Sequence, residues 1–406
     1  MTSAMHGWVL LIFAIVYLGM MLGGLPRLHL DRTAVALLGA IAIVGLGVMS
    51  PQAAAEAIHL PTILLLFSFM VISAQLRLGG FYTWVTHSVS GLNLAPAALL
   101  AVVIAIVALL SAVFSNDIVC LAMAPILLDA CVRKRLNPVP YLLGLACAAN
   151  IGSALTLIGN PQNMLIGETL KLPFGAYTLE ALLPVSLSLL ALWFWLKRGL
   201  STDAPQPAAH RVEAITLDRW QSAKGLAVAA ALLLVFVCTD WPRDVSALVG
   251  AGLLLLSQRF HSSKVMGQVD WELLILFMGL FVVNHALQLT GLSVQSVAQL
   301  AQAGVDLGQP APLFAASLLL SNLVSNVPAV MLLLPLAKAP WGGPLLALVS
   351  TLAGNLLLVG SIANLIVVDA ARRQGIVIAW RQHAKVGVPV TLLSLSFTAA
   401  WFAWRI

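Results

Sequence analysis

The chain has 406 residues, of which 61% are hydrophobic and only 9% charged, against roughly 25% charged in soluble domains. That composition excludes a soluble globular protein, and apolar stretches recurring from Trp8 to Trp404, many near the roughly 20 residues a bilayer-spanning helix needs, define an all-α polytopic membrane protein. In such a chain the net charge of +6 reports which loops face the cytoplasm before it reports any affinity for nucleic acid.

The first spans are expected at 7–25 and 33–50, joined by PRLHLDR. No basic segment or small-residue cleavage site marks the first as a cleavable signal. A third span covers 60–76 and ends at Arg77, and the amphipathic RLGGFYTWVTHSVSGL after it reads as an interfacial helix. Residues 95–113 and 118–131 flank Ser115-Asn116-Asp117. The second of these arms is short for a crossing, so the pair reads as a re-entrant hairpin. A span from Tyr141 breaks at IGNPQN and resumes at Met164, and another covers 176–196. The polar run from Lys197 to Trp220, with its prolines and mixed charges, reads as a linker. Beyond it come spans at 222–240, 245–257 and 271–289, then arms at 313–323 and 328–337 around Ser325-Asn326. A span at 344–368 broken at VGSIAN and a last one at 386–404 complete the plan. The expected organisation is a first repeat over 1–196, a cytoplasmic linker over 197–220 and a second repeat over 221–406. It comprises about ten transmembrane helices plus two re-entrant hairpins, with broken helices in both halves.

Three ordered matches carry the repeat. RLGGF at Arg77 parallels QLTGL at Gln288, Ser115-Asn116 parallels Ser325-Asn326, and SALTLIGNPQN from Ser153 parallels GNLLLVGSIAN from Gly354. The last pairing sets Gly159 on Gly360 and Asn163 on Asn364. With the N-terminus outside, every Lys and Arg except Lys171, Arg243, Lys338 and Arg405 falls on the cytoplasmic side. Each half then holds an odd number of spans, so the halves are inverted. The first hairpin enters from the cytoplasm, the second from outside, and both termini lie outside.

Inverted repeats with discontinuous helices are a signature of secondary transporters. A helix interrupted in hydrocarbon is tolerable only where polar partners or water replace its lost hydrogen bonds. The arms starting at Ile118 and Pro328, and the half-helices starting at Asn163 and Asn364, point N-terminal dipole ends at the centre. The candidate substrate- and ion-binding residues are Ser115, Asn116, Asp117, Gly159, Asn160, Asn163, Ser325, Asn326, Gly360, Ser361 and Asn364. A lone Ser-Asn-Asp before an apolar run is an ordinary N-cap, and Pro328 suits a plain helix start. Recurrence in both halves, each followed by a Gly-Asn break, favours a site.

Elsewhere the bland readings prevail. His285 reads as packed or interfacial, and Asp270 and Glu272 as solvated at a span end. Trp193, Trp195, Trp241, Trp271, Trp401 and Trp404 form an aromatic belt. The four cysteines, Cys120, Cys131, Cys147 and Cys238, lack metal-ligand spacing and read as small hydrophobes. No HExxH, GxSxG or P-loop pattern occurs, which argues against an enzyme, a metal site, a cofactor or an ATP-driven pump.

SNDIVCLAMAP, NIGSALTLIGNPQN and SNLVSNVPAVMLLLP are similar to the paired motifs of the ion transporter superfamily. That group holds citrate-transporter-like permeases, divalent-anion/sodium symporters and ArsB/NhaD permeases, with YbiR-like inner-membrane transporters nearest in pattern. The resemblance implies that hairpin tips and helix breaks form the substrate and coupling-ion sites. It carries over to Ser115, Asn116, Gly159, Asn160, Pro161, Asn163, Ser325, Asn326, Gly360 and Asn364. Carboxylate symporters of the group carry Ser-Asn-Thr at both tips, whereas here the third residue is Asp117 in one and Val327 in the other. The Asn-Asp pair is closer to ArsB-type permeases.

The expected function is therefore a permease of the cell inner membrane, moving a small anion by alternating access on a proton or sodium gradient. The alternatives are ArsB/NhaD-like efflux of arsenite or sodium in exchange for protons and, in another class, a passive channel. Partners are a small ionic substrate and the bilayer, not nucleic acid; a homodimer is compatible. Asp117 is expected as the proton-coupling residue, because an unpaired aspartate in a dipole-lined tip meant for an anion must be neutralised. Sodium at the Asn116 and Asn326 tips is the alternative coupling ion. The charge distribution makes a direct prediction: cysteines placed at positions 134, 210 and 373 are labelled only from the cytoplasm and one at 305 only from outside. Labelling of 134 and 210 from opposite faces would contradict the hairpin.

Overall fold

The computed structural model of the chain describes residues 3–25, 29–200, 217–257 and 259–406. The segment expected as a linker, 197–220, lies mostly outside them. The first half runs α1 (Ser3–Leu22), α2 (Arg32–Gly45), α3 (Pro51–Ala57), α4 (Leu60–Leu78) and α5 (Phe81–Gly91). It continues with α6 (Pro96–Val113), α7 (Asn116–Arg133), α8 (Pro138–Ser153), α9 (Pro161–Thr169) and α10 (Phe174–Leu196). The second half runs α11 (Arg219–Cys238), α12 (Arg243–Leu255), α13 (Ser262–Met266), α14 (Trp271–Leu289) and α15 (Leu292–Gln302). It ends with α16 (Pro310–Val324), α17 (Asn326–Leu333), α18 (Gly342–Ala353), α19 (Ile362–Arg373) and α20 (Trp380–Arg405). A two-residue antiparallel ladder, Gly24–Leu25 with Leu30–Asp31, closes the turn between α1 and α2. Among the described residues seven helices are long and apolar enough to cross a membrane.

Local chemistry sets the helix starts. Asp31, Ser50 and Asp270 each accept a backbone N–H three residues on, at 2.7, 3.1 and 2.9 Å, and so cap α2, α3 and α14. Gly80 and Gly291 precede α5 and α15 with φ of 76° and 72°, the left-handed backbone that lets a long helix fold straight into a short one. The two glycines are 211 residues apart, as are the starts of α2 and α12, α3 and α13, and α4 and α14. The repeat first visible in scattered motifs thus holds helix by helix.

Packing between the halves is reciprocal. Helix α2 packs on α14 and α4 on α12; α1 packs on α14 and α4 on α11; α7 packs on α19 and α9 on α17. Each contact is matched by its exchanged counterpart, the pattern of an isologous two-fold interface inside one chain. Within each half the hairpin arms lie on the first part of the broken span, α6 and α7 on α8, and α16 and α17 on α18. The backbones of α6 and α8 approach so closely that a Cβ on Gly152 would lie 2.4 Å from the Ala108 Cα and 2.5 Å from its carbonyl oxygen. Small residues at such crossings are how membrane helices pack without a hydrophobic driving force.

Two expectations change. The arm placed at 118–131 is a full 18-residue helix, because Ser115 starts it directly before Asn116 and Pro125 does not end it. Helix α5 is not a peripheral amphipathic helix with a free apolar face: Phe81, Tyr82, Thr86 and Val89 are buried and the helix packs on α7. Its counterpart α15 has no buried residue, so an amphipathic pattern alone could not separate the two. Gly152→Ala is expected to destabilise the protein by about 1–3 kcal/mol through overpacking, read as a lowered Tm in detergent. An unchanged Tm would show that the α6–α8 crossing can open.

Candidate substrate and ion site

Each broken span leaves a set of backbone carbonyls without helical partners, and both halves solve the problem with the same residues. In the first break, Asn163 Nδ2 donates to the carbonyls of Thr156 and Ser153 at 3.0 and 3.4 Å. In the second, Asn364 Nδ2 donates to those of Leu357 and Gly354 at 3.3 and 2.9 Å. The next carbonyl is closed from the following helix, by Tyr177 OH to Ala154 O at 2.7 Å and by His383 Nε2 to Asn355 O at 3.0 Å. Asn160 Oδ1 then accepts from Asn163 N at 2.9 Å to start α9, and Ser361 Oγ accepts from Ala363 N at 3.2 Å to start α19. Every group in these two sets is a neutral amide, hydroxyl, imidazole or phenol.

Asn150, buried in α8 one turn before the first break, bonds across to the second. Its Nδ2 donates to Asn355 Oδ1 and Asn364 Oδ1 at 2.8 and 3.1 Å. Its Oδ1 accepts from Ser361 Oγ at 2.8 Å and from Asn116 Nδ2 at 3.0 Å. One side chain thus joins the first hairpin tip to both sides of the second break. Thr351, in α18, makes the reverse link: Asn160 Nδ2 and Gln162 Nε2 both reach its Oγ1 at 3.2 Å, and Asn163 Oδ1 lies 3.3 Å away.

The first tip is held by Asn116 N donating to Gly159 O at 3.3 Å. Gly159 must be glycine, since a Cβ would stand 2.3 Å from Ser153 O and 2.8 Å from Ser111 O. At the second tip Ser325 has φ 79° and ψ 159°, a region nearly reserved for glycine that costs on the order of 1–3 kcal/mol for other residues. Its counterpart Ser115 is relaxed, at φ −53° and ψ 128°. Gly360 and Gly354 bring backbone close to Asn322 and Asn326, a Cβ on each standing 3.4 and 3.2 Å from Asn322 Oδ1 and Asn326 Nδ2. Among the described residues Asn116 Oδ1, Asn322 Oδ1 and Asn326 Oδ1 are buried acceptors without a partner. Such oxygens can receive a donor or coordinate a hard cation, and the amide N–H groups can bond an oxyanion. None can neutralise an anion by charge.

Asn116, Gly159, Asn160, Asn163, Ser361 and Asn364 therefore fall in one connected cluster, with Gly360, Ser325 and Asn326 at the second tip. Ser115 and Asp117 stand apart. They line a cavity of about 100 Å³ with Arg77 and Asp270, so a cation from α4, outside the tip and break motifs, faces the same space. A cavity of about 430 Å³ holds the repeat-related positions His59, His285, Gln288 and Met331. Among the described residues no group of His, Cys, Asp and Glu could hold a metal. Sequence reasoning missed Asn150, Thr351, Asn355, Tyr177 and His383. A lone amide inside the apolar CAANIGS was the available signal for Asn150.

A helical bundle that buries paired hairpin tips and broken spans around amides is the architecture of a polytopic membrane transporter. The sequence profile of the citrate transporter family matches residues 8–352, and the chain belongs to that family. It is 29% identical to an uncharacterized transporter of Mycobacterium tuberculosis, over 93% of this chain and 94% of that one. It is 28% identical to the silicon efflux transporter LSI3 of Oryza sativa subsp. japonica (95% and 93%) and 22% identical to the putative transporter arsB of Dictyostelium discoideum (90% and 86%). Its fold is similar to the crystal structure of the Alcanivorax borkumensis YdaH transporter, with TM-score 0.57 and 14% identity over 99% of this chain and 97% of that one.

Replacing Asn150 by Ala would strip partners from Asn116, Ser361, Asn355 and Asn364 at once, where each buried unsatisfied group costs about 1–3 kcal/mol. Asn150→Ala should therefore lower the Tm by clearly more than Asn116→Ala, which breaks one of those bonds. Equal losses would mean that Asn150 does not join the breaks.

Proposed function

We propose that the protein is a secondary active carrier in which the two hairpin tips and two helix breaks hold a small solute and its coupling ion. The observation that carries this reading is the cross-bonding of the halves at their breaks, Asn150 to Asn355, Ser361 and Asn364 and Thr351 to Asn160 and Asn163, since buried amides around discontinuous helices serve ligand sites in carriers. Asn116, Gly159, Asn160 and Asn163 supply one side of the site; Ser325, Asn326, Gly360, Ser361 and Asn364 supply the other. The halves sit inverted in a cell inner membrane, divided at the 197–220 segment, with both termini outside. Alternating access follows from exchange between two equivalent half-structures, driven by a proton or sodium gradient.

A small anion is the first substrate class, bound by amide N–H groups and helix N-termini. The absence of any Lys or Arg from the hydrogen bonds of the cluster favours a second reading, an uncharged hydroxylated metalloid acid exported in exchange for protons. The names of the silicon efflux and arsB relatives support that reading. In both, Asp117 is the proton-coupling group. It stands beside the tip, not in it, so it can load and release a proton through its own cavity without touching the solute. Sodium coordinated by Asn116 Oδ1 and Asn326 Oδ1 is the competing coupling mode.

Proteoliposomes screened for gradient-driven flux of phosphate, sulfate, citrate, arsenite, silicic acid and sodium decide the substrate class. Flux that persists at channel-like rates after the gradients collapse would replace the carrier by a pore. With the transported solute in hand, Asp117→Asn keeps shape and helix capping but removes titration. It should abolish proton-driven accumulation while leaving solute exchange within about twofold of wild type. An unchanged pH profile would assign coupling elsewhere.

A further inference from the structure

Arg243, the first residue of α12, is the most engaged cation among the described residues. Its Nε lies 2.8 Å from Glu168 Oε1, with side-chain exposures of only 12% and 3%. Its Nη1 and Nη2 donate to the carbonyls of Leu172 and Gly167 at 3.0 and 2.8 Å, at the C-terminal end of α9, where a cation also complements the helix dipole. This ties a half-helix of the candidate site to the surrounding bundle. The repeat assigns each member a counterpart. Arg243 corresponds to Arg32 at the offset of 211 that relates α2 to α12, and Glu168 corresponds to Asp369 at the offset of 201 that relates α9 to α19. Both counterparts are again an arginine and a carboxylate, in a chain with only 9% charged residues.

In the structure the second pair is not made. Among the described residues Arg32 has no ion-pair partner and its Nε is buried without a hydrogen bond, which is costly for a guanidinium. Asp369 holds Arg373 instead, at 2.7 Å, with both side chains more than half exposed. The helix packing differs in the same sense. Helix α4 packs directly on α9, whereas its counterpart α14 makes no comparable contact with α19. The cavity beside Asp117, lined by Asp270 at the start of α14 and by Ile362 and Ile366 of α19, lies between them.

We infer that Arg243–Glu168 and Arg32–Asp369 are two repeat-related latches that close alternately, one at each end of the bundle. The structure is the state in which the Arg243 latch is closed and the Arg32 latch open. Moving α19 toward the N-terminus of α2 would give the orphaned Arg32 the carboxylate it lacks and draw Asp369 from its exposed partner. The same rearrangement, carried through the Asn150 cluster that joins both breaks, would pull α9 and Glu168 away from Arg243. The four residues are positioning residues for the cycle; none touches the solute. The inference rests on the carrier reading, but it concerns distances between helices and can be read without any flux.

The test uses full-length protein with its four native cysteines replaced by Ala, in proteoliposomes, with cysteine pairs at 169/244 and at 33/370, the positions next to each latch residue, joined by a short bifunctional maleimide. The 169/244 pair should cross-link in most molecules and the 33/370 pair in a minority. Adding Glu168→Gln, which weakens the closed latch, should raise the 33/370 yield at least threefold, whereas Asp369→Asn, at the open latch, should leave the 169/244 yield unchanged. The exchanged pair Glu168→Arg with Arg243→Glu should return the 33/370 yield to its starting value, a rescue that a merely structural ion pair would not produce at a distant site. A 33/370 yield that stays below one in twenty molecules in every background, or that does not respond to Glu168→Gln, overturns the inference. Absence of transport in every solute screen would count against the carrier reading and leave this distance measurement standing.

Discussion

An interrupted helix inside a membrane must find partners for its own backbone, and the rest of the structure is arranged around that demand. Water cannot serve in hydrocarbon, and each unsatisfied group costs several kcal/mol. The chain answers with Asn163 and Asn364, each bridging two carbonyls, and with Tyr177 and His383, each closing a third. Those side chains must themselves be fixed, which brings in Asn150, Thr351 and the N-caps Asn160 and Ser361. The result is a polar core in which, among the described residues, no lysine or arginine donates a hydrogen bond. Close approach by glycine is part of the same economy of space: at Gly152 and Gly159 a single Cβ would drive backbones apart.

Because the solution appears twice, the halves face each other through equivalent surfaces. Reciprocal packing of α2 on α14 and α4 on α12 gives the halves equivalent contacts, so in the proposed carrier alternating access would be an exchange of roles between them. Such a carrier requires two states of similar energy, since a site that strongly preferred one side would trap its load. Departures from the symmetry mark where the present state is defined. Ser325 carries a backbone strain that Ser115 does not, and the cavities at the two ends differ about fourfold in volume, about 100 against about 430 Å³.

Much of this was legible in the chain. Apolar length gave the spans, and the Ser-Asn and Gly-Asn motifs located both tips and both breaks, because those positions must be polar in an apolar context. The aromatic and proline residues that resemble ordinary belt or turn residues hid others. Tyr177 reads as a span-end tyrosine, and His383 as a loop residue beside Arg381 and Lys385. Their role depends on a pairing between helices that adjoin only after folding. Helix α5 shows the converse limit: its period is amphipathic like that of α15, and only the presence of α7 beside it decides that it is buried. Asp117 was visible as an anomaly, but its orientation was not, since one residue of rotation at a helix start separates a side chain that enters the amide cluster, as Asn116 does, from one that faces Arg77 and Asp270.

That rotation has a chemical consequence. Asn116 and Asp117 are adjacent, so α7 cannot move without moving both, yet they face different spaces. A solute held by the Asn116 side and a proton held by the Asp117 side would therefore share a mechanical element without competing for the same atoms. Coupling would require only that displacement of α7 change the surroundings of Asp117. Its cavity is built from α4 and the start of α14 on one wall and from α7 and α19 on the other. Helix α7 packs on α19, so in the proposed cycle these two would move together against the wall that carries Arg77. Drawing that guanidinium toward Asp117 would favour the ionised carboxylate, and withdrawing it would favour the protonated one. In the proposed carrier Arg77, outside the tip and break motifs, would supply what a titrating aspartate needs, a partner whose distance changes with the position of the site.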